Sequence, residues 1–90
     1  MSLIQKYIWL VKTVHRAGRI TLKELNEEWR NNTDLSRGES LPRQTFDRWK
    51  GGVLDLFGII IDCEQRGGYH YYIANPKVLE SGELKAWLLD

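Results

Sequence analysis

The residue types best suited to chemistry in this 90-residue chain lie on one predicted helix, residues 42–57. Gln44 and Arg48 are four residues apart and are therefore neighbours on a helix surface. Each of these side-chain types can form two parallel hydrogen bonds with a base edge in the major groove of DNA. Arg43 and Thr45 stand beside them and could bind phosphate or further base atoms. The spacing indicates recognition of double-stranded DNA.

Other chemistries lack the residues they need. His15 and His70 have no partners at metal-ligand spacing, and Cys63 is the one cysteine. No paired carboxylates, Ser/His or Cys/His set or phosphate-binding loop occurs in the sequence. We therefore expect no enzymatic activity, no metal and no cofactor. A lone cysteine forms no internal disulfide, which fits a reducing compartment.

The predicted helix 42–57 is also expected to supply much of the core. At 100° per residue, its apolar side chains fall on one arc. In order across the arc they are Leu56, Trp49, Val53, Phe46, Phe57 and Leu54. Pro42 would lie in the first turn with Ser40 as a candidate cap, and Gly58 would end the helix.

Two features interrupt the pattern of this helix. Gly51-Gly52 should cost about 1 kcal/mol per residue relative to alanine, and the helix could break there. The apolar period continues through the pair, which favours an unbroken helix with both glycines facing outward, where another surface could come close. Lys50 lies on the apolar arc, and we expect its stem to be buried and its ammonium to reach solvent.

Two more helices are predicted upstream. The first carries an apolar stripe and ends at Gly18 in the left-handed conformation. Its stripe is Ile4, Tyr7, Ile8, Val11 and Val14. The second begins with a capping box of Thr21 and Glu24 and ends at residues 31–34. In the polar connector 31–40, Leu35 is expected to point inward. Residues 37–40 are interpreted as a solvated loop, with contact to a phosphate backbone as the alternative.

A β-hairpin is predicted over residues 59–74. Ile59, Ile61 and Cys63 alternate with polar residues, Gly67-Gly68 marks the turn, and Tyr69, Tyr71 and Ile73 alternate on the return. A two-residue loop would pair Cys63 with Tyr72 and split the apolar set between two faces. A three-residue loop pairs Cys63 with Tyr71 and keeps that set on one face, so we predict this register. Arg66 then stands at the tip, where it could contact the DNA backbone.

Charge and hydropathy add weaker indications. The formal net charge is only +1, but residues 1–52 hold ten Lys and Arg against six Asp and Glu, whereas residues 53–90 hold three against six. The basic half contains the predicted recognition helix, as a nucleic-acid footprint requires. Neither a membrane span nor a secretion signal is recognisable, so we expect a cytoplasmic protein without a membrane partner.

The order of these elements resembles the N-terminal winged helix-turn-helix of bacterial WYL-domain transcriptional regulators, particularly the Bacteroidetes type. The most specific matching stretches are Arg43-Gln44-Thr45-Phe46-Asp47-Arg48 and Phe57-Gly58-Ile59-Ile60-Ile61-Asp62-Cys63. The resemblance implies that the third helix enters the major groove and that the hairpin wing lies along the backbone. It also implies a C-terminal WYL domain beyond this chain. Two departures are Lys50, where related helices usually carry an apolar residue, and the Gly51-Gly52 pair.

We therefore expect an α+β fold, namely a winged helix-turn-helix with a three-helix core, a β-hairpin wing and a C-terminal helix. Residues 1–76 would form the DNA-binding domain, and residues 77–90 a helix or linker toward the WYL domain. That last helix would have Ser81 as its cap and Leu84, Trp87 and Leu88 as its stripe. Arg43, Gln44, Thr45, Arg48 and Arg66 are the expected DNA-binding residues. The full-length protein is expected to be a homo-oligomer, and the alternative function is a winged helix that binds another protein.

Overall fold

The computed structural model describes residues 2–80, 82, 85 and 86, and this part of the chain has an α+β fold that is mostly helical. Four α-helices, three short strands and a 3-10 helix follow one another, and the described residues 82, 85 and 86 beyond them are helical. The elements are α1 (Leu3–Ala17), β1 (Ile20–Thr21), α2 (Leu22–Asn31), α3 (Thr33–Ser36), α4 (Arg43–Phe57), β2 (Ile61–Glu64), β3 (His70–Ile73) and the 3-10 helix Pro76–Glu80. The strands form one antiparallel sheet in the order β1-β3-β2.

Helices α1 and α2 begin and end close to the predicted residues. Gly18 ends α1 with a positive φ, although its ψ of −61° lies outside the left-handed helical region. The capping box of α2 is confirmed, because the Thr21 hydroxyl accepts from the Glu24 N–H at 3.1 Å and the Glu24 carboxylate accepts from the Thr21 N–H at 3.1 Å.

The connector between α2 and α4 is more ordered than the sequence suggested. It contains the short helix α3, and Ser36 at the end of α3 is buried. The Ser36 hydroxyl accepts from the Gly38 N–H at 3.0 Å and donates to the Arg30 carbonyl at 3.4 Å. The helix α3 and the burial of Ser36 were not predicted, and a small polar side chain can be buried once both its donor and its acceptor are used. Leu35 packs against the core as expected, and residues 37–40 are exposed, in agreement with the solvated-loop interpretation.

Helix α4 runs unbroken through Gly51-Gly52, as predicted. It begins one residue later than expected, because Pro42 is the N-cap and Ser40 makes no cap hydrogen bond. Gly58 ends it in the left-handed conformation and donates to the Leu54 carbonyl at 2.8 Å.

The buried face of α4 is narrower than the predicted arc. Phe46, Trp49, Val53 and Phe57 are buried, whereas Leu54 and Leu56 are 48% and 56% exposed. These two leucines occupy the edges of the arc. Their burial required neighbouring elements that the described fold does not place there, so this part of the prediction was wrong.

The hairpin has the predicted register. Cys63 pairs with Tyr71 and Ile61 with Ile73, so burial decides the register as expected. Tyr69 was predicted to be buried but is 59% exposed, because the ladder stops at the Glu64–His70 pair. The third strand β1 was not predicted.

The core joins the helices to the inner face of the sheet. Its fully buried members include Leu10, Val11, Val14, Leu25, Phe46, Val53, Ile59 and Leu79. Trp29 packs edge-to-face against both Trp9 and Trp49, with ring centroids 4.9 and 5.1 Å apart, and so links α1, α2 and α4.

The segment after β3 is only partly described. The buried Leu79 anchors the 3-10 helix in the core. The predicted cap Ser81 and the predicted stripe of Leu84, Trp87 and Leu88 lie outside the described residues.

Candidate nucleic-acid interface

Helix α4 presents a polar stripe to solvent on the side opposite its core face. The stripe consists of Gln44, Arg48, Gly51 and Asp55, which are all exposed. No group in the described part of the chain forms a hydrogen bond with the Gln44 side chain. Its amide is therefore available to a ligand as both donor and acceptor.

Arg48 is held only lightly. Its Nη2 donates to the Thr45 hydroxyl at 3.3 Å, which leaves most of the guanidinium donors free. Thr45 itself is half-buried and lines a groove of about 270 Å³ that α1, α2, α4 and the connector residues 39–42 form together. Gln44 and Arg48 thus face solvent directly, whereas Thr45 lies to one side of the stripe.

The same groove contains a residue that the sequence did not single out. Lys6 of α1 lines it together with Thr45, and its Nζ lies 6.0 Å from the ring centroid of Trp49. The sequence feature that could have identified Lys6 was its position on the polar side of α1. Only the packing of α1 against α4 places this cation beside the first turns of α4.

Arg43 lies on the other flank of α4 in a set of exposed charges. Asp47 lies 4.0 Å from the Arg43 guanidinium and 3.4 Å from the Lys50 ammonium. Exposed ion pairs of this kind contribute about 0–1 kcal/mol, so Arg43 can exchange Asp47 for a phosphate at little cost.

The first turn of α4 carries free backbone donors. Pro42 provides no side-chain cap, and its carbonyl accepts from the Phe46 N–H at 3.0 Å. The N–H groups of Arg43, Gln44 and Thr45 have no acceptor among the described residues. Asn26 of α2 fixes the start of this turn, since its Oδ1 accepts from the Leu41 N–H at 2.6 Å.

The two glycines of α4 have different surroundings. A Cβ on Gly52 would overlap the Tyr7 hydroxyl of α1, so this glycine makes room for a residue of the same fold. The prediction that both glycines face outward was therefore wrong for Gly52. A Cβ on Gly51 would meet no atom within 4 Å from the described residues beyond its own stretch of helix.

Tyr71 of β3 fixes the hairpin against α4. Its ring packs edge-to-face on Phe46 with centroids 4.7 Å apart, and the Lys50 ammonium lies 5.1 Å from the centroids of both rings. Lys50 is 27% exposed at its side chain, so the expectation of a buried stem is confirmed. Burial raises the pKa of the Tyr71 hydroxyl, and the positive charge of Arg43 opposes this effect.

A second set of contacts lies on the outer face of the sheet. Arg19, just before β1, forms an ion pair with Glu64 of β2, and its guanidinium lies 5.7 Å from the Tyr72 ring centroid. Since β3 lies between β1 and β2, this exposed pair spans the sheet and stabilises it by about 0–1 kcal/mol.

Arg66 is exposed in the hairpin turn. Gly67 and Gly68 beside it both have positive φ, at 71° and 106°, as a tight turn requires. No hydrogen bond or ion pair joins Arg66 to another described residue. The fold thus gathers Arg43, Gln44, Thr45 and Arg48 on the first two turns of α4 and places Arg66 on a different element.

Residues 2–80, 82, 85 and 86 contain no cluster of three His, Cys, Asp or Glu side chains arranged for a metal ion. Within the same residues, no helix combines the length and the hydropathy of a membrane span. Comparison of the chain with protein-family models, with curated proteins and with solved structures found no match.

Proposed function

We propose that this protein binds double-stranded DNA with sequence preference, with α4 in the major groove and the hairpin 59–74 along the phosphate backbone. The observation that carries the proposal is the pair Gln44 and Arg48 on the solvent face of a helix whose opposite face is buried. Both side chains are nearly free of internal partners. Their one-turn spacing suits base edges of neighbouring base pairs.

The start of α4 supports the same proposal. The free N–H groups of its first turn and the positive end of the helix dipole favour a phosphate. Arg43 and Lys6 add cations on either side of this turn. Phosphate contacts of this kind would fix the register in which Gln44 and Arg48 meet the bases.

The fold is compatible with a winged helix in which α4 is the recognition helix and the hairpin is the wing. On the sequence resemblance, we propose that the chain is the DNA-binding part of a WYL-domain transcriptional regulator. We further propose that the full-length regulator acts in the cytoplasm as a homo-oligomer. Two copies would double the phosphate contacts that one copy can make.

Selection from a random duplex library tests the proposal. Duplexes retained by the protein would be sequenced, and the enriched duplex would then be titrated in a mobility-shift assay against excess nonspecific DNA. We expect one enriched sequence and a shifted band that persists with competitor. Retention without enrichment, or a band lost to competitor, would contradict sequence-specific binding.

A second candidate function is docking of another protein. Leu54, Leu56 and Ile60 are 48%, 56% and 43% exposed, although their side chains are large and apolar. Replacing Leu54 and Leu56 by serine would weaken a protein contact at this end of α4. The same change would leave DNA binding by the first turns of α4 nearly intact, so the two functions can be separated.

A further inference from the structure

Gly51 is a glycine that the fold itself does not explain. It lies in the interior of α4 and is exposed. Apart from its chain neighbours and the backbone of its own helix, no described residue has an atom within 4 Å of the position where a Cβ would stand. Its backbone is helical, so no positive φ requires a glycine. Alanine would stabilise the helix at this position, because glycine has greater backbone freedom to lose on folding.

The adjacent Gly52 is a glycine whose presence the fold explains. At Gly52 the absence of a Cβ lets the Tyr7 side chain of α1 approach the α4 backbone. No such neighbour from the described fold reaches Gly51. A close approach at Gly51 therefore requires a surface from outside the described residues.

The position of Gly51 indicates which surface that is. Arg48 lies one turn before it and Asp55 one turn after it, on the same exposed stripe. Arginine donates to guanine and aspartate accepts from the amino group of cytosine, so both neighbours suit base edges. Gly51 thus lies one turn before Asp55, whose short side chain could reach the bases only if the helix backbone came close to them.

We propose that Gly51 is the point where the α4 backbone lies directly against base edges in the major groove, and that it sets specificity through its missing side chain. This inference rests on the proposed DNA-binding function. A Cβ at position 51 would hold the helix away from the base edges. A hydrogen bond accepted by the short Asp55 side chain would then lengthen, and hydrogen bonds weaken steeply with distance and angle.

The test compares stability and DNA binding in the same variants. Gly51→Ala and Gly51→Leu place progressively larger side chains at an exposed helix position, and His15→Ala makes a helix-favouring change on an exposed residue of α1. Thermal unfolding is measured by circular dichroism. Affinity is measured by fluorescence anisotropy, with the duplex that the unmodified protein enriches from a random library as the probe.

We expect Gly51→Ala to raise the unfolding midpoint and to weaken binding to the enriched duplex by about tenfold or more. Gly51→Leu should weaken it further, while His15→Ala should bind within twofold of the unmodified protein. Unchanged affinity in Gly51→Ala overturns the proposal. A lowered unfolding midpoint in that variant also overturns it, because the fold would then require the glycine.

Two further outcomes separate this inference from the proposed function. If the unmodified protein enriches no duplex, the proposed function fails and the role of Gly51 fails with it. If it enriches a duplex that Gly51→Ala binds equally well, only the role of Gly51 fails. A loss of self-association in sedimentation with unchanged DNA affinity would assign Gly51 to a protein contact instead.

Discussion

Arg48 is the side chain in which base recognition can be tested most directly. Its guanidinium has one weak internal partner, the Thr45 hydroxyl at 3.3 Å, and lies on the exposed stripe of α4. Arg66 is equally exposed, but it stands in the hairpin turn, away from that stripe. The two arginines therefore have different expected roles, although both are cations.

Replacing Arg48 by alanine should reduce the preference for the enriched duplex over unrelated duplexes. The expected loss is about 1–3 kcal/mol on the preferred duplex if Arg48 binds a guanine. Arg66→Ala should instead weaken binding to all duplexes alike, because phosphates carry no sequence information. Anisotropy titrations with both duplexes measure this difference. If Arg48→Ala lost the same binding free energy on both duplexes, Arg48 would contact a phosphate and not a base.

Asn75 shows how a single residue can join two elements. Its Oδ1 accepts from the Ile60 N–H and its Nδ2 donates to the Gly58 carbonyl, both at 2.8 Å. These hydrogen bonds tie the end of α4 to the start of the hairpin. The sequence suggested only that Asn75-Pro76 ends the sheet.

We expect Asn75→Ala to destabilise the protein by about 0.5–1.5 kcal/mol, because two hydrogen bonds to exposed backbone groups are lost and water can partly replace them. Chemical denaturation monitored by tryptophan fluorescence measures the free energy of unfolding. Asn31→Ala, at an exposed residue near the end of α2, is the control. An effect no larger than that of the control would show that water replaces Asn75 without loss.

At the scale of elements, the start of α2 makes folding sensitive to acid. The Thr21 N–H and hydroxyl donate to the Glu24 carboxylate and lower its pKa, and the positive charge of His70 acts in the same direction. The pKa of Glu24 is lower in the folded state than in the unfolded state. At a pH above the unfolded-state pKa, the ionised Glu24 carboxylate therefore stabilises the fold. That stabilisation is lost as the pH falls through the folded pKa.

Glu24→Gln should therefore remove part of the pH dependence of unfolding below about pH 4.5. At neutral pH the variant should be less stable than the unmodified protein, and the difference should shrink as the pH falls. Thermal unfolding from pH 7 to pH 2.5 measures this, with Glu27→Gln on the same helix as control. A constant difference across the whole range would contradict the role of the ionised carboxylate.

At the scale of the whole molecule, the net charge of +1 limits DNA affinity. Three cations, Lys6, Arg43 and Arg48, lie around the start of α4 together with the anions Glu39 and Asp47, and Arg66 stands at the hairpin tip. Binding should thus depend on a few local phosphate contacts rather than on a general positive surface.

With about 4 phosphate contacts per copy, the logarithm of the binding constant should fall against the logarithm of salt concentration with a slope of about −3 to −4. Binding by one copy should be weak at physiological salt. Anisotropy titrations with the enriched duplex at several salt concentrations measure the slope. Affinity independent of salt would be incompatible with the proposed DNA interface.

The sequence by itself determined the features that depend on neighbours within one turn or one strand pair. The capping box of Thr21 and Glu24 needs only a three-residue spacing. The unbroken helix through Gly51-Gly52 follows from the apolar period. The hairpin register follows from the two-residue repeat of a strand, since a slip by one residue would expose the apolar set.

Tertiary structure alone decided which elements cover each face. Leu54 and Leu56 match the helical period, yet they are exposed because no described element covers the edges of the α4 core face. Gly51 and Gly52 are equivalent in sequence, and only the approach of Tyr7 distinguishes them. The pairing of β1 with β3, which lie about fifty residues apart in the chain, is equally invisible to local patterns. The physical reason is the same in each case: local spacing fixes where a side chain points, but burial also needs a partner that only the folded chain brings there.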